Sequence, residues 1–287
     1  METRLTLRDR VVIISPEKPF TIIGERINPT RRKKLAETMS QADFSVVQED
    51  ARKQVEAGAQ VLDVNAGIPG GDEPSLLRGA VQAVMDAVQV PLCIDTANPE
   101  ALKTALEVYP GKALINSTTA EESMMSKVFP LAKQFGSAVI GVITDEQGVP
   151  PTPEARLEVA RKLINRAADY GIPIEDIIID CLALTVGADH NAGQITLDAM
   201  KLVSQELKVN LNLGASNVSF GLPDRKIINV AYLSLAIARG LTIAITDPTV
   251  IETQTTLLAC DLLMGRDEYA MRWIKAFRKR SAAAAAA

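Results

Sequence analysis

Ile177-Ile178-Ile179-Asp180-Cys181 decides the fold. Three isoleucines in a row read as a short strand covered on both faces. The run then stops at a carboxylate, which is costly in such a place unless something pairs with it. The same shape recurs along the chain. Glu25 and Asn28 follow Ile22-Ile23, and Asn65 follows the run 61–64. Asp95 closes PLCID (91–95), Asn116 closes ALIN (113–116) and Asp145 closes AVIGVITD (138–145). Asn217 closes LNLGASN (211–217) and Asp247 closes LTIAITD (241–247). With Asp180, that makes a set of short apolar runs, each with a polar end.

Helical patterns lie between these runs. Residues 44–57 carry apolar side chains at helical spacing and stop at Gly58. Thr152 reads as an N-cap with Pro153 in the first turn of a helix that runs to Tyr170 and stops at Gly171. Residues 197–207 and 227–239 are similar. Strand starts fall about 20 to 40 residues apart, the spacing of repeated βα units. Nothing resembling a linker or a charge block divides the chain, so residues 1–281 are expected to form one domain. The alanine run 282–287 is set aside as a tail foreign to the fold. Eight βα units predict a closed (β/α)8 barrel, the TIM barrel. A doubly wound open sheet is the second choice, disfavoured because no Gly-rich phosphate fingerprint follows an early strand. In a barrel the carboxyl ends of the strands share one mouth. Asp180 would then face a pocket with Asp95, Asn116 and Asn217. Asp and Asn also serve as turn formers and helix caps, and each of these residues alone has that second reading.

The totals exclude several classes. The 287 residues are 47% hydrophobic and 23% charged, with a net charge of −4. No basic surface speaks for nucleic acid, and no apolar run approaches bilayer length. The opening METRLTLRDR lacks a signal-peptide core. Cys93, Cys181 and Cys260 make neither a disulfide framework nor a zinc pattern, so a reducing cytoplasm is the expected home. His190 is the only histidine. With no ligand partner at metal spacing it is weak evidence for a metal, and no bound metal is expected. Arg31-Arg32-Lys33-Lys34 reads first as a solvated helix start, second as a contact for an anionic tail or a partner.

The strand ends supply carboxylates and amides without a nearby Lys or Arg, which suits a neutral ligand rich in donors. A carboxylate accepts two parallel N–H bonds, and an Asn amide offers a donor beside an acceptor. Together they complement a flat aminopyrimidinone ring, the face of a pterin.

Six motifs carry a resemblance: GERINPTRRK (24–33), DVNAG (63–67), IDTANPEAL (94–102), INST (115–118), IDCLALTVGAD (179–189) and LGASNVSFGLPDR (213–225). Over residues 20–265 the chain resembles the methyltetrahydrofolate:corrinoid (iron-sulfur) protein methyltransferases. That family includes the methyltransferase II of corrinoid-dependent O-demethylases and the folate module of cobalamin-dependent methionine synthase. The resemblance implies that Asp95, Asn116 and Asp180 hold the pterin, with Asp180 taking ring N3–H and the 2-amino group. It implies that Asn217 is the catalytic residue reaching N5, and that Arg225 contacts the folate at its carbonyl or its benzoyl-glutamate tail. Glu25, Asn28, Asn65, Phe220 and Asp247 are further pocket candidates. At Phe220 some relatives carry a polar folate contact, so this chain departs from the pattern there.

The implied reaction moves a methyl group between N5 of 5-methyltetrahydrofolate and cobalt(I) of a corrinoid. Cobalt is the nucleophile, and the obstacle is the amine leaving group. The lower-ligand motif Asp-x-His-x-x-Gly is missing around His190, so the corrinoid is expected on a separate protein that docks transiently. The family also implies a homodimer. Acetogenesis and O-demethylation both use such proteins. Dihydropteroate synthase, which would need cations at the mouth for pyrophosphate, and a non-catalytic folate-binding subunit are the alternatives.

Overall fold

In the computed structural model, which describes residues 1–286, the chain opens with a hairpin that the charged residues at the N-terminus conceal. β1 (Thr3–Leu7) and β2 (Arg10–Ile14) pair antiparallel. Leu5, Leu7, Val12 and Ile14 are buried, whereas Arg4, Arg8, Asp9 and Arg10 are exposed. These charges occupy the solvent side of a two-stranded plug.

Eight parallel strands follow: β3 (Thr21–Ile27), β4 (Val61–Asn65), β5 (Leu92–Asp95), β6 (Leu114–Thr119), β7 (Ala138–Val142), β8 (Ile177–Asp180), β9 (Asn210–Asn212) and β10 (Ile243–Thr246). Their order is β10-β3-β4-β5-β6-β7-β8-β9. The seam between β9 and β10 is spanned by Thr242 N–H to Leu211 O (3.2 Å) and Ile245 N–H to Leu213 O (3.0 Å). The expected (β/α)8 barrel is therefore the architecture found.

Helices fill the crossovers: α1 (Lys33–Ser40), α2 (Ser45–Glu56), α3 (Glu73–Ala87), α4 (Pro99–Glu107), α5 (Glu122–Phe135), α6 (Pro153–Asp169), α7 (Ala192–Leu207), α8 (Arg225–Ala238) and α9 (Ile251–Leu263), with α10 (Met271–Ala286) after the last unit. The signals at α6 act as expected: Thr152 Oγ1 accepts from Ala155 N–H (3.2 Å), Pro153 stands in the first turn, and Gly171 takes a φ of 72°. Of the run 282–287 set aside as a tail, residues through Ala286 continue α10, and Ala287 lies outside the described residues. No helix among the described residues is long and apolar enough to cross a membrane.

Successive strand side chains point to opposite faces, and this parity positions the site. Outward-facing residues such as Ile22, Leu62, Ile94, Ile115 and Ile179 pack with the helices in one large core. Inward-facing Ile23, Val61, Cys93, Leu114, Ala138, Ile140, Ile178 and Ile243 form a second cluster, which Leu5, Val12 and Ile14 of the hairpin close from below. Asn210 ties the plug to the wall by donating to Thr3 Oγ1 (2.9 Å) and to Ile14 O (3.0 Å). Two residues further up several strands the inward positions turn polar: Glu25, Asp63, Asp95, Asn116, Asp180 and Asn212. Asp180 ends an apolar run because it is the inward residue directly above Ile178, where the barrel filling gives way to the mouth.

Candidate active site at the carboxyl ends of the strands

A cavity of about 730 Å³ opens at this end of the barrel. Its floor is built from side chains held by their neighbours. Asp180, at the end of β8, is buried; its Oδ1 accepts from Leu182 N–H (2.8 Å) and its Oδ2 from Asn212 Nδ2 (2.6 Å). Asn116 Nδ2 donates to Asp63 Oδ1 (3.0 Å), and Asn65 Nδ2 to Asp95 Oδ2 (2.9 Å). On β3 the register slips between Gly24 and Ile27, a local bulge of the kind that re-aims side chains. The Arg26 N–H is satisfied by Gln54 Oε1 (2.9 Å). That buried carboxamide lies where a Cβ on residue 24 would sit, so the position requires glycine.

Burial disfavours the charged form of every carboxyl on the floor. It pushes Asp180 up to about 6, against the hydrogen bonds from Leu182 and Asn212. Asp63 is driven well above the usual carboxylate range, by burial first and then by the neighbouring Asp95. Asp95 is raised for the same leading reason, and Glu25 reaches about 7 through burial and then Asp247. The Cys93 thiol is raised strongly by burial and then by Asp63, which leaves it without thiolate character. Such a floor is short of N–H donors: a ligand that brings two or three would hold its acids as carboxylates.

The rim is different in sign. Arg26, Arg31, Arg32 and Arg225 all line the cavity. This corrects the expectation of carboxylates and amides without nearby cations, because Arg26 at the end of β3, Arg31 and Arg32 in the loop after it and Arg225 at the start of α8 meet only in the folded barrel. Arg26 Nη1 donates to Asp247 Oδ2 (2.9 Å), and Arg32 Nη1 to Asp50 Oδ2 (2.6 Å). Asp247 is also bonded by Thr249; burial opposes its charge, but these hydrogen bonds outweigh burial and hold it below the usual range.

The sequence candidates separate into three groups. Asp95, Asn116, Asp180, Asn217 and Arg225 all line the one cavity, as do Glu25, Asn28, Phe220 and Asp247. Asn65 does not line it: its two amide atoms are taken by Asp95 and by Gly67 N–H (2.9 Å), so it positions Asp95 from behind. Asn28 lines the rim while its Oδ1 closes a turn onto Thr30 N–H (3.0 Å). Asn217 sits in a 3-10 turn, residues 215–219, with its side chain exposed against Gly214. His190 is exposed and apart from the cavity, and among the described residues no group of three or more His, Cys, Asp or Glu is arranged to hold a metal. Asp63, Asn212 and Arg26 were missed. Strand parity was the available signal for the first two, since Asp63 stands two residues after inward Val61, and Asn212 two after Asn210.

The sequence pattern of pterin-binding enzymes matches residues 24–247, from the glycine of the β3 bulge to the aspartate after β10. The chain belongs to the pterin-binding enzyme family. Within that family it is similar to the methylcorrinoid:tetrahydrofolate methyltransferase of Eubacterium limosum, at 29% identity over 266 residues, 90% of this chain and 96% of that one. It is also 31% identical over 243 residues to the methionine synthase of Mycobacterium leprae, covering 80% of this pterin-binding chain but only 20% of that larger protein. These are the relatives that the six sequence motifs anticipate. Among solved structures, Yersinia pestis dihydropteroate synthase with a pterine-sulfa conjugate superposes with a TM-score of 0.70, at 17% identity, over 92% of this chain and 99% of that one. At that identity the likeness concerns the fold alone.

Proposed function

We propose that this protein transfers a methyl group between N5 of 5-methyltetrahydrofolate and cobalt(I) of a corrinoid carried by a separate protein. The observation that carries the reading is an acceptor-rich floor beneath an open mouth, in a chain matched over nearly its whole length by a methylcorrinoid:tetrahydrofolate methyltransferase. In this reading Asp180 receives pterin N3–H and the 2-amino group as a parallel pair. Asn116 and Asp95 hold the other edges, and Asp63 keeps Asn116 oriented through their 3.0 Å bond.

Cobalt(I) attacks the methyl carbon in line, the C–N bond breaks, and its electron pair returns to N5. Holding the ring fixed while the corrinoid arrives supplies orientation. A hydrogen bond at N5 that strengthens as the bond breaks acts on the transition state more than on the ground state. Asn217, exposed on its short turn, is the donor in this proposal, either directly or through a water that delivers the proton. The corrinoid protein docks over the open mouth and leaves again. Of the rim arginines that a pyrophosphate would need for dihydropteroate synthesis, Arg26 and Arg32 are committed to Asp247 and Asp50, which leaves Arg31 and Arg225; the similarity to a methylcorrinoid:tetrahydrofolate methyltransferase over 90% of this chain favours methyl transfer over that reading.

Exposed Ile227, Leu235, Ile251, Leu263, Met271 and Phe277 on α8, α9 and α10 suit the contact of a homodimer. Three free, buried cysteines suit the reducing cytoplasm.

The test is single-turnover methyl transfer from 5-methyltetrahydrofolate to cobalt(I) cobalamin at saturating folate. The wild type should transfer, and Asn217→Ala should do so about 100-fold more slowly, the scale of losing one oriented donor. No transfer by the wild type would sink the function. A saturated rate unchanged in Asn217→Ala, with only affinity reduced, would make Asn217 a binding residue.

A further inference from the structure

The four arginines of the rim are not equivalent. Arg26 and Arg32 each face a carboxylate, at 2.9 and 2.6 Å. Arg31 and Arg225 have no carboxylate partner among the described residues. Both instead stand within cation–π range of one ring, Phe220, with guanidinium carbons 5.2 and 5.8 Å from its centroid. Arg225 is fixed in place: its Nε donates to Ser219 Oγ (3.0 Å) and its Nη2 to Ser216 O (2.6 Å), on the same short turn that carries Asn217. Arg31 comes from the loop after β3, on another side of the mouth, and is exposed. Phe220 is half exposed between the two loops.

Two like charges beside one ring repel each other, and the ring's negative face offsets only part of that. An anion would relieve the rest, and guanidinium forks match carboxylates. The sign also changes with height, from carboxyl groups on the floor to unpaired cations at the rim. A ligand fitted to both levels has N–H donors at one end and carboxylates at the other, with an apolar stretch between them to meet Phe220.

We propose that Arg31, Phe220 and Arg225 form a receptor for the aminobenzoyl-glutamate tail of folate, and that its two cations make the enzyme prefer polyglutamylated over monoglutamylated substrate. The proposal rests on the folate reading of the cavity. The aminobenzoyl ring lies against Phe220, and the glutamyl carboxylates take Arg225 and Arg31. Each added glutamate brings a further carboxylate past Arg31 toward solvent.

The experiment measures equilibrium binding of three probes: 5-methyltetrahydrofolate monoglutamate, its triglutamate, and 6-methyltetrahydropterin, which lacks the tail. At low ionic strength the wild type should bind the triglutamate about tenfold more tightly than the monoglutamate, and added salt should erode the difference. Arg31→Glu should abolish or reverse that preference and weaken the monoglutamate about fivefold, the scale of an exposed ion pair. Affinity for the tailless pterin should not change. A triglutamate preference that survives in Arg31→Glu overturns the proposal, as does a parallel loss of tailless pterin binding. So does a defect confined to transfer onto a corrinoid protein with folate affinities intact, which would make the cations a protein-docking surface. Wild type that binds the tailless pterin without any chain-length preference overturns the tail receptor alone. Wild type that binds none of the three overturns the folate reading with it.

Discussion

The two ends of this barrel are built from the same strands and the same inward parity, yet they do opposite things. At the lower end Ile23, Val61, Leu114, Ile178 and Ile243 meet Leu5, Val12 and Ile14 of the hairpin in an apolar cluster. At the upper end the next inward residues are Glu25, Asp63, Asp95, Asn116 and Asp180, with four carboxyl groups raised above their ordinary values chiefly by burial. The lower end gains stability from apolar area removed from water. The upper end gives some of it up, holding acids in an environment that suits a ligand better than it suits the empty protein. Adhesion and recognition are thus separated by a single step of two residues along β3, β4, β5, β6 and β8.

The sharpest break of that contrast is Asp180→Ala. It should leave the fold intact and weaken folate binding by roughly 2–5 kcal/mol, because two ligand donors lose their acceptor in a buried site. Titration calorimetry on the folded variant checks it; near-normal affinity would remove Asp180 from the pterin pocket. At the other end, a Cβ on Gly111 would overlap the Thr6 carbonyl, where the β5–β6 crossover meets the plug. Gly111→Ala should cost about 2–4 kcal/mol of stability by forcing the hairpin away from the wall. The saturated single-turnover rate should stay unchanged in denaturant-free buffer. A rate defect without a stability loss would mean that the two ends are coupled after all.

The smallest effect sharpens the comparison through pH. The Asp180 carboxyl sits at about 6 in the folded chain, above its ordinary value of 3.8. A raised acid favours the folded state while protonated, so its contribution is fully present below the unfolded value and is lost as the pH rises through about 6. Asp180→Asn, which cannot ionise, should therefore be more stable than the ligand-free wild type at pH 7.5, by about 1–3 kcal/mol, and should lose that advantage by pH 4.5. The Asn212 carboxamide can turn to meet the new amide, since its Oδ1 has no partner. Folate affinity of the wild type should run the other way and fall as the pH drops through 6, because the bound ring needs the carboxylate. Thermal melts and affinities across this range check both signs.

The barrel was legible because it repeats: β-branched runs, helix caps at Thr152, and stops at Gly58 and Gly171 recur at a βα spacing. The residues at strand ends were legible because a polar group after hydrocarbon stands out. Asp63 and Asn212 were hidden by the same rule, since each lies inside its run rather than at the end, and only face parity separates Asp63 from its apolar neighbours Leu62 and Val64. The hairpin was concealed because Arg4, Arg8, Asp9 and Arg10 dominate the composition of a stretch whose alternate residues are core. The pairs Arg26–Asp247 and Arg31–Phe220 join residues some two hundred positions apart, and no local pattern predicts them.

The pairing of β3 with β10 has a consequence for the life of the chain before it is finished. The first barrel strand finds one of its two neighbours only when residues 243–246 arrive, and until then β3 and β9 are both open edges. A polypeptide still emerging from the ribosome carries a curved, incomplete wall with hydrogen-bonding groups free along two borders, the state most exposed to unwanted pairing. Contacts that close so late in the sequence also slow folding. The hairpin precedes β3 in the sequence and gives the growing wall an apolar surface to assemble on, while Arg26 waits on β3 for Asp247 to lock the last strand beside it.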